Sequence, residues 1–218
     1  MSNPTIQASA KPRRLPQPRK RAEKSAARRQ AIVAAALAEF CARGFAAARL
    51  DDVARRAGVA KGTIYLHFED KEALFREIIS TMVVPLIAAL EALSPQERPI
   101  RAVLQSFADM FIREIYATER RNVLRLIMTE GPRFPQLAEF YYRNVVERAL
   151  AVMRGLLKRA LERGEIKDGA LVEFPQLVVA PAMLAIIWSG LFDRFSPLDI
   201  TALMRAHLDL LFGKGGAS

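Results

Sequence analysis

Cysteine and histidine are almost absent from this chain of 218 residues, which has one cysteine and two histidines. Cys41 cannot form a disulfide within the chain, and a structural zinc site needs several thiolate or imidazole ligands. His67 and His207 are too few to hold a metal by themselves. The sequence therefore predicts a reduced, cytoplasmic protein without a metal or other cofactor, in which Cys41 packs in the core.

Long apolar runs and β-type patterns are also missing. The most apolar stretch, residues 177–192, contains Pro181 and falls short of the roughly 18 residues that a membrane span needs. Alanine and leucine dominate over β-branched residues, and no stretch alternates apolar and polar residues. These features exclude a transmembrane protein and a β fold, and they predict an all-α protein.

The combinations of side chains that carry catalysis are absent as well. The sequence shows no Ser/His/acid or Cys/His arrangement and no glycine-rich phosphate loop. We therefore do not expect an enzyme.

Positive charge is concentrated at the start of the chain. Residues 1–30 hold nine lysines and arginines against one glutamate, a net +8 of the total +10. Such an arm either solvates the protein or contacts a polyanion, of which double-stranded DNA is the first choice and an anionic membrane the second. Prolines at positions 4, 12, 16 and 18 argue against the amphipathic helix of a transit peptide. We expect a disordered arm over residues 1–24.

Helical periodicity begins at Ser25 and organises the rest of the chain. Apolar residues spaced by four run up to a stop at Gly44, and a helix bent near Pro85 is predicted for residues 71–93. Further helices are predicted at residues 50–57, 61–68, 100–117, 120–130, 136–163, 171–192 and 197–211. The predicted units are a helical domain over residues 25–70, a connecting helix over 71–93, and a helical bundle over 94–218.

Residues 50–68 have the spacing of a helix-turn-helix. Ala54 is small where two helices must cross closely, and Gly58 permits the positive φ of a tight turn. Val53, Val59, Ile64 and Phe68 supply a shared apolar core. The outer side of the second helix then carries Lys61, Gly62, Thr63, Tyr65, Leu66 and His67. We expect Lys61 and Thr63 to reach base edges in the major groove, and Tyr65 and His67 to bond phosphates; packing against the next helix is the alternative for His67.

The segments around this motif resemble the amino-terminal domain of TetR/AcrR-family transcriptional regulators over about residues 28–78. The resemblance is carried by Gly44-Phe45, Asp51-Asp52-Val53-Ala54, residues 57–68 and Lys71-Glu72-Ala73-Leu74-Phe75. It implies an all-α homodimer that binds DNA and is released by a small effector in its carboxy-terminal domain. It also implies that residues 61–68 form the recognition helix and that Tyr65, His67 and Lys71 contact phosphate.

Three positions depart from the family pattern. Ala48-Arg49 replaces the usual hydroxyl cap before the second helix, so Arg49 is expected to contact phosphate instead. Ala60 replaces a common serine, and Leu66 replaces an aromatic residue or histidine, which favours contact with a thymine methyl. These changes affect the operator sequence rather than DNA binding itself.

The carboxy-terminal half is rich in methionine and aromatic residues at helical spacing, which is typical material for an adaptable apolar pocket. Each such residue is otherwise simply core. The expected effector is apolar or aromatic, and the candidate lining residues are Phe107, Met110, Phe111, Ile115, Met128, Phe140, Tyr141, Met183 and Trp188.

The last two predicted helices are apolar on all sides, so they must be buried, either in a dimer interface or in the core of a monomer. The interface is favoured, because a palindromic site is bound by two identical DNA-binding domains related by a twofold axis. The candidate interface residues are Leu177, Ala182, Ile186, Leu203, His207 and Leu208. For His207, packing is favoured over a sensing role.

The sequence thus predicts a ligand-responsive, DNA-binding transcriptional repressor that binds a palindromic operator as a homodimer. The alternative is a structural, nucleoid-type protein that binds DNA with little sequence preference through its basic arm.

Overall fold

The computed structural model describes residues 18–92, 98–167 and 169–213, and all regular secondary structure within these ranges is helical. The all-α prediction is confirmed. The amino-terminal helices are α1 Pro18–Ala47, α2 Leu50–Ala57, α3 Lys61–Tyr65, α4 Lys71–Met82 and α5 Val84–Ala92. The remaining helices are α6 Ile100–Phe111, α7 Arg120–Glu130, α8 Pro135–Tyr141, α9 Glu147–Glu162, α10 Ala170–Glu173, α11 Gln176–Leu191 and α12 Ile200–Phe212. Single π-helical turns, Ile112–Tyr116 and Tyr142–Val146, follow α6 and α8.

Helix α1 begins earlier than the sequence predicted. The predicted disordered arm covers residues 1–24; residues 1–17 lie outside the described residues, but 18–24 form the first turns of α1. Pro18 stands at the first helical position, where the missing N–H of a proline costs no hydrogen bond. The prediction of a helix start at Ser25 is therefore wrong.

Gly44 interrupts α1 as expected. Its φ of 74° and ψ of 159° leave the helical region, and one more turn follows up to Ala47. Phe45, directly after it, is fully buried. On the same helix Cys41 is exposed, so its predicted place in the core is wrong.

The connecting helix breaks at Val83, which separates α4 from α5. Pro85 is the second residue of α5 and thus tolerates the loss of its N–H. The predicted bend near Pro85 is confirmed in position, although it divides the helix in two.

Proline also divides the predicted helix over residues 171–192. Phe174, with ψ of 68°, leaves the helical region before Pro175, as residues before proline tend to do, so α10 and α11 are separate. The last helix begins at Ile200 rather than at Pro197, because the side chain of Asp199 caps it by accepting the N–H of Ala202 at 2.9 Å.

One apolar core joins the amino-terminal helices to α7 and α8. It contains the packed rings of Phe40, Phe45 and Phe75 together with Leu126 and Leu137. Two further cores lie among α6, α9, α11 and α12. The first core therefore crosses the boundary that was predicted at residue 70.

Two helical stretches, Ala22–Ala47 and Lys71–Ala92, are long and apolar enough to span a bilayer by length and composition. In this fold they bury Phe40 and Ile78 in the first core. Both therefore serve as core helices here.

Candidate nucleic-acid interface and ligand cavity

Helices α2 and α3 meet through a tight turn at Gly58. Gly58 has φ of 66°, and the N–H of Val59 donates to the carbonyl of Ala54 at 3.0 Å, which closes the turn. Val53, Ala54 and Ile64 are buried beneath it. This is the geometry that the spacing of small residue, glycine and apolar anchors predicts.

Helix α3 is shorter than predicted: it ends at Tyr65 rather than near Phe68. Beyond its end, the N–H groups of His67 and Phe68 both donate to the carbonyl of Ile64. Its outer side exposes Lys61, Gly62, Tyr65 and Leu66, while Thr63 and His67 are half-buried. Leu66 is 84% exposed. Tyr65 beside it is 51% exposed, so both side chains are accessible at the end of α3.

Lys61 forms an ion pair with Asp51 on α2, with 2.9 Å between its Nζ and a carboxylate oxygen. The hydrogen bond to Asp51 is the main cause that raises the pKa of Lys61 above its usual value. The ammonium therefore stays positive and is held on the outer side of the α2–α3 unit.

Lys71 has a role within the fold that the sequence analysis missed. Its Nζ donates to the carbonyls of Phe45 and Ala46, each at 2.8 Å, and lies 4.9 Å from the centre of the Phe45 ring. The side chain thus caps the carboxyl end of α1. Only one of its three N–H donors remains for a phosphate.

Arg49 precedes α2 with an extended backbone and an exposed side chain, and no side chain caps the helix there. This agrees with the missing hydroxyl cap. Arg49 is thus accessible on the same side of the domain as the start of α2, where a phosphate contact is expected.

One cation of the basic segment serves the fold instead of a partner. Arg29 donates to Glu77 on α4 at 2.7 Å and lies 4.9 Å from the centre of the Phe68 ring. It therefore joins α1 to α4 and to Phe68, which lies three residues after the end of α3.

A cavity of about 270 Å³ lies in the carboxy-terminal bundle. Six of the nine predicted lining residues do line it: Phe107, Met110, Phe111, Ile115, Tyr141 and Met183. Three predicted residues do not. Met128 is half-buried on α7, where Leu124 is the lining residue. Phe140 packs near Arg76, and Trp188 packs on Phe192 and donates to the carbonyl of Ser196.

Three of the predicted interface residues, Ala182, His207 and Leu208, line this cavity. Ile186 is fully buried within the chain, and Leu203 packs in the third core. The prediction is wrong for Ala182, Ile186 and Leu208, because they turn inward and are buried inside one chain.

The outward side of α11, the segment after it and α12 carries other large apolar residues, each at least 43% exposed: Leu177, Leu184, Ile187, Leu191, Phe192, Phe195 and Leu210. Of the predicted interface residues, Leu177 belongs to this group. A helix that is apolar all round has no sequence signal for the side that faces outward, so the others were missed.

Two family profiles match the chain. "Bacterial regulatory proteins, tetR family" matches residues 32–78, and "Tetracyclin repressor-like, C-terminal domain" matches residues 94–212. The chain belongs to the TetR family.

Relatives and folds agree with TetR-family membership. The HTH-type transcriptional repressor BepR of Brucella suis is 32% identical over 167 residues, which cover 73% of this chain and 76% of BepR. The fold matches SmeT in its triclosan complex (TM-score 0.70, 24% identity, 85% and 90% of the two chains). It also matches the transcriptional regulator FadR of Bacillus subtilis, in complex with stearoyl-CoA (TM-score 0.70, 22% identity, 85% and 98%).

The predictions of a transcriptional regulator, a helix-turn-helix and TetR-family membership are confirmed.

Proposed function

We propose that this TetR-family regulator is a cytoplasmic, homodimeric repressor that binds a palindromic duplex and is released by a small effector in the cavity. One observation carries the proposal: α4 and α5 connect α3, the second helix of the helix-turn-helix, to the cavity. Helix α4 follows α3 after a short turn; Val83 at its far end and Leu86 and Ile87 on α5 line the cavity.

Helix α3 supplies the contacts to DNA in this proposal. Lys61 and Thr63 near its amino end face base edges, and Tyr65, His67 and Arg49 bond phosphates. A twofold axis sets two copies of α3 about 34–36 Å apart, one turn of the duplex. The exposed apolar side of α11 and α12 provides the surface that this axis requires.

The effector acts on the joint at Val83. Leu74, Phe75, Ile78 and Ile79 fix α4 in the first core, so a movement of the cavity wall at Val83 is transmitted to the reading domain as a rigid-body tilt. A coupling of about 1 to 3 kcal/mol is typical between two such sites. The name of BepR, a repressor, supports repression rather than activation as the output.

Selection of bound fragments from a genomic DNA library tests the proposal. We expect recovery of a palindrome that the protein prefers by about 10³-fold or more over random duplex at moderate salt. Lys61→Ala with Thr63→Ala should abolish this preference. Equal binding to all duplexes by a folded dimer would contradict it.

The nucleoid-type alternative is an outcome of the same experiment. Deletion of residues 1–17 removes three cations. If the arm only adds phosphate contacts, the deletion should lower the slope of log K against log salt by at most about 3 and keep the preference. Loss of nearly all binding on deletion, with no effect of the α3 substitutions, would favour the structural protein.

A further inference from the structure

The described residues that line the cavity carry no fixed charge. They come from α5, α6, α7, α8, α9, α11 and α12, from Val83 and from the two π-helical turns, and they include no lysine, arginine, aspartate or glutamate. A charged ligand group there would lose its hydration without an opposite charge to compensate, which is strongly unfavourable. The cavity therefore selects against ions.

Among the described residues that line the cavity, two have side chains able to hydrogen-bond strongly, Tyr141 and His207. The Nε2 of His207 lies 2.8 Å from the carbonyl oxygen of Leu177, so this nitrogen already has a partner within the chain. The hydroxyl of Tyr141 has no partner among the described residues, and burial raises the pKa of Tyr141 to about 12. The hydroxyl thus stays protonated and able to donate at neutral pH.

The backbone is built so that Tyr141 faces the cavity. In a regular α-helix, residues 141 and 153 would point about 120° apart, at roughly 100° per residue. The π-helical turn Tyr142–Val146 adds one residue, which reduces this angle to about 20°. Tyr141, Val145, Ala149 and Met153 accordingly all line the cavity.

The volume bounds the size of the occupant. A cavity of about 150 Å³ accommodates benzene. By proportion, a cavity of about 270 Å³ accommodates about ten to twelve non-hydrogen atoms.

We propose that the cavity binds an uncharged, largely apolar molecule of about ten to twelve non-hydrogen atoms that accepts a hydrogen bond from the hydroxyl of Tyr141. This inference rests on the proposed function in so far as that molecule is the effector; occupancy of the cavity itself can be measured without DNA.

Four probes within this size range test it: valerophenone, pentylbenzene, 4-phenylbutanoate and 5-phenylpentylammonium. Binding is followed by NMR of the full chain labelled at the methionine methyl groups. Met110, Met153, Met183 and Met204 line the cavity, whereas Met82 and Met128 do not and serve as internal controls. We expect the ketone to shift the four cavity methyls with the lowest Kd, the hydrocarbon to bind more weakly, and the two ions to leave them unchanged at the same concentrations.

Tyr141→Phe tests the hydrogen bond. A net hydrogen bond corresponds to about a 2- to 10-fold difference in Kd. In the parent protein valerophenone should bind tighter than pentylbenzene by this factor; in Tyr141→Phe the ketone should lose the advantage while the hydrocarbon keeps its Kd. Tyr142→Phe, at the exposed neighbouring position, is the matched control and should behave like the parent.

The ligand inference is overturned if an ion shifts the cavity methyls as strongly as the ketone, if no probe shifts them, or if Tyr141→Phe keeps the preference for the ketone. If valerophenone binds as expected but the protein stays on its selected DNA, the ligand inference holds and the effector step of the proposed function fails. If no specific DNA is selected, the regulator proposal fails while the methyl shifts still decide the ligand class.

Discussion

The ammonium of Lys61 and the carboxylate of Asp51 lie 2.9 Å apart on the outer side of the helix-turn-helix. The pair joins the first residue of α3 to the first turn of α2, on the surface that we propose to face DNA. In the proposed complex Lys61 exchanges this carboxylate for a phosphate or a base edge. We therefore expect Asp51 to oppose indiscriminate binding.

Replacement of Asp51 by Asn should strengthen binding to duplexes of unrelated sequence, because it frees Lys61 and removes a negative charge from the interface. We expect the slope of log K against log salt to steepen by up to about 1 and the preference for the selected site to fall. Fluorescence anisotropy over a salt series measures both. Asp109→Asn, an exposed carboxylate on α6, changes the net charge equally; the same effect from both variants would refute a local role of Asp51.

Gly44 should not tolerate a side chain. A Cβ at this position would lie 3.0 Å from Oε1 of Glu130, and φ of 74° is strained for any L-residue with a side chain. We expect Gly44→Ala to lower the free energy of unfolding by about 1 to 2 kcal/mol. Gly155→Ala, in the interior of α9, where a Cβ would lie at an ordinary contact distance of 3.7 Å from Nη1 of Arg159, should instead raise it by up to about 1 kcal/mol. Urea titrations that show the same sign for both changes would contradict this.

Dimer formation should depend on the outward side of α11 rather than on the predicted interface residues that are buried, Ala182, Ile186 and Leu208. Ile187 is 46% exposed, whereas its neighbour Ile186 is fully buried. We expect Ile187→Glu to yield a folded monomer, with a dimer Kd raised by about 30-fold or more, as for a hot-spot residue. Light scattering measures the mass, and circular dichroism verifies the fold. Ala151→Glu, exposed on α9, is the control and should leave the dimer unchanged. If Ile187→Glu also leaves the dimer unchanged, the interface does not lie on this side of α11.

Tyr141 should make stability depend on alkaline pH. Burial raises its pKa to about 12 from an ordinary value near 10, so the folded state holds the proton more tightly than the unfolded chain does. The stabilisation from this proton is complete below pH about 10 and is lost as the pH rises to about 12. At pH 11 the loss lowers the free energy of unfolding by about 1 kcal/mol. Between pH 9 and 11 the free energy of unfolding of Tyr141→Phe should fall less than that of the parent. Tyr142→Phe should fall as much as the parent; identical losses in all three would refute the shift.

The helix-turn-helix was predictable from local sequence, whereas the orientation of the later helices was not. Ala54, Gly58 and Ile64 act within one turn and two short helices, so their spacing alone implies the geometry that the structure contains. Helix α1 was predictable to its break at Gly44 but not to its start, since a proline at the first helical position resembles a proline that prevents a helix.

In the bundle, only packing decides which residues face inward. Residues 177–188 are apolar throughout, so no periodicity distinguishes Ala182, on the cavity, from Ile187, on the surface. Lys71 likewise caps α1 because folding brings the carbonyls of Phe45 and Ala46 to it across the first core. The sequence by itself determined the helical class and the helix-turn-helix, because these rest on short-range steric rules, and it indicated the family through the resemblance of the residues around that motif. The tertiary structure decided the cavity, its one unpaired hydroxyl and the outward apolar side, because these arise from contacts between residues far apart in the chain.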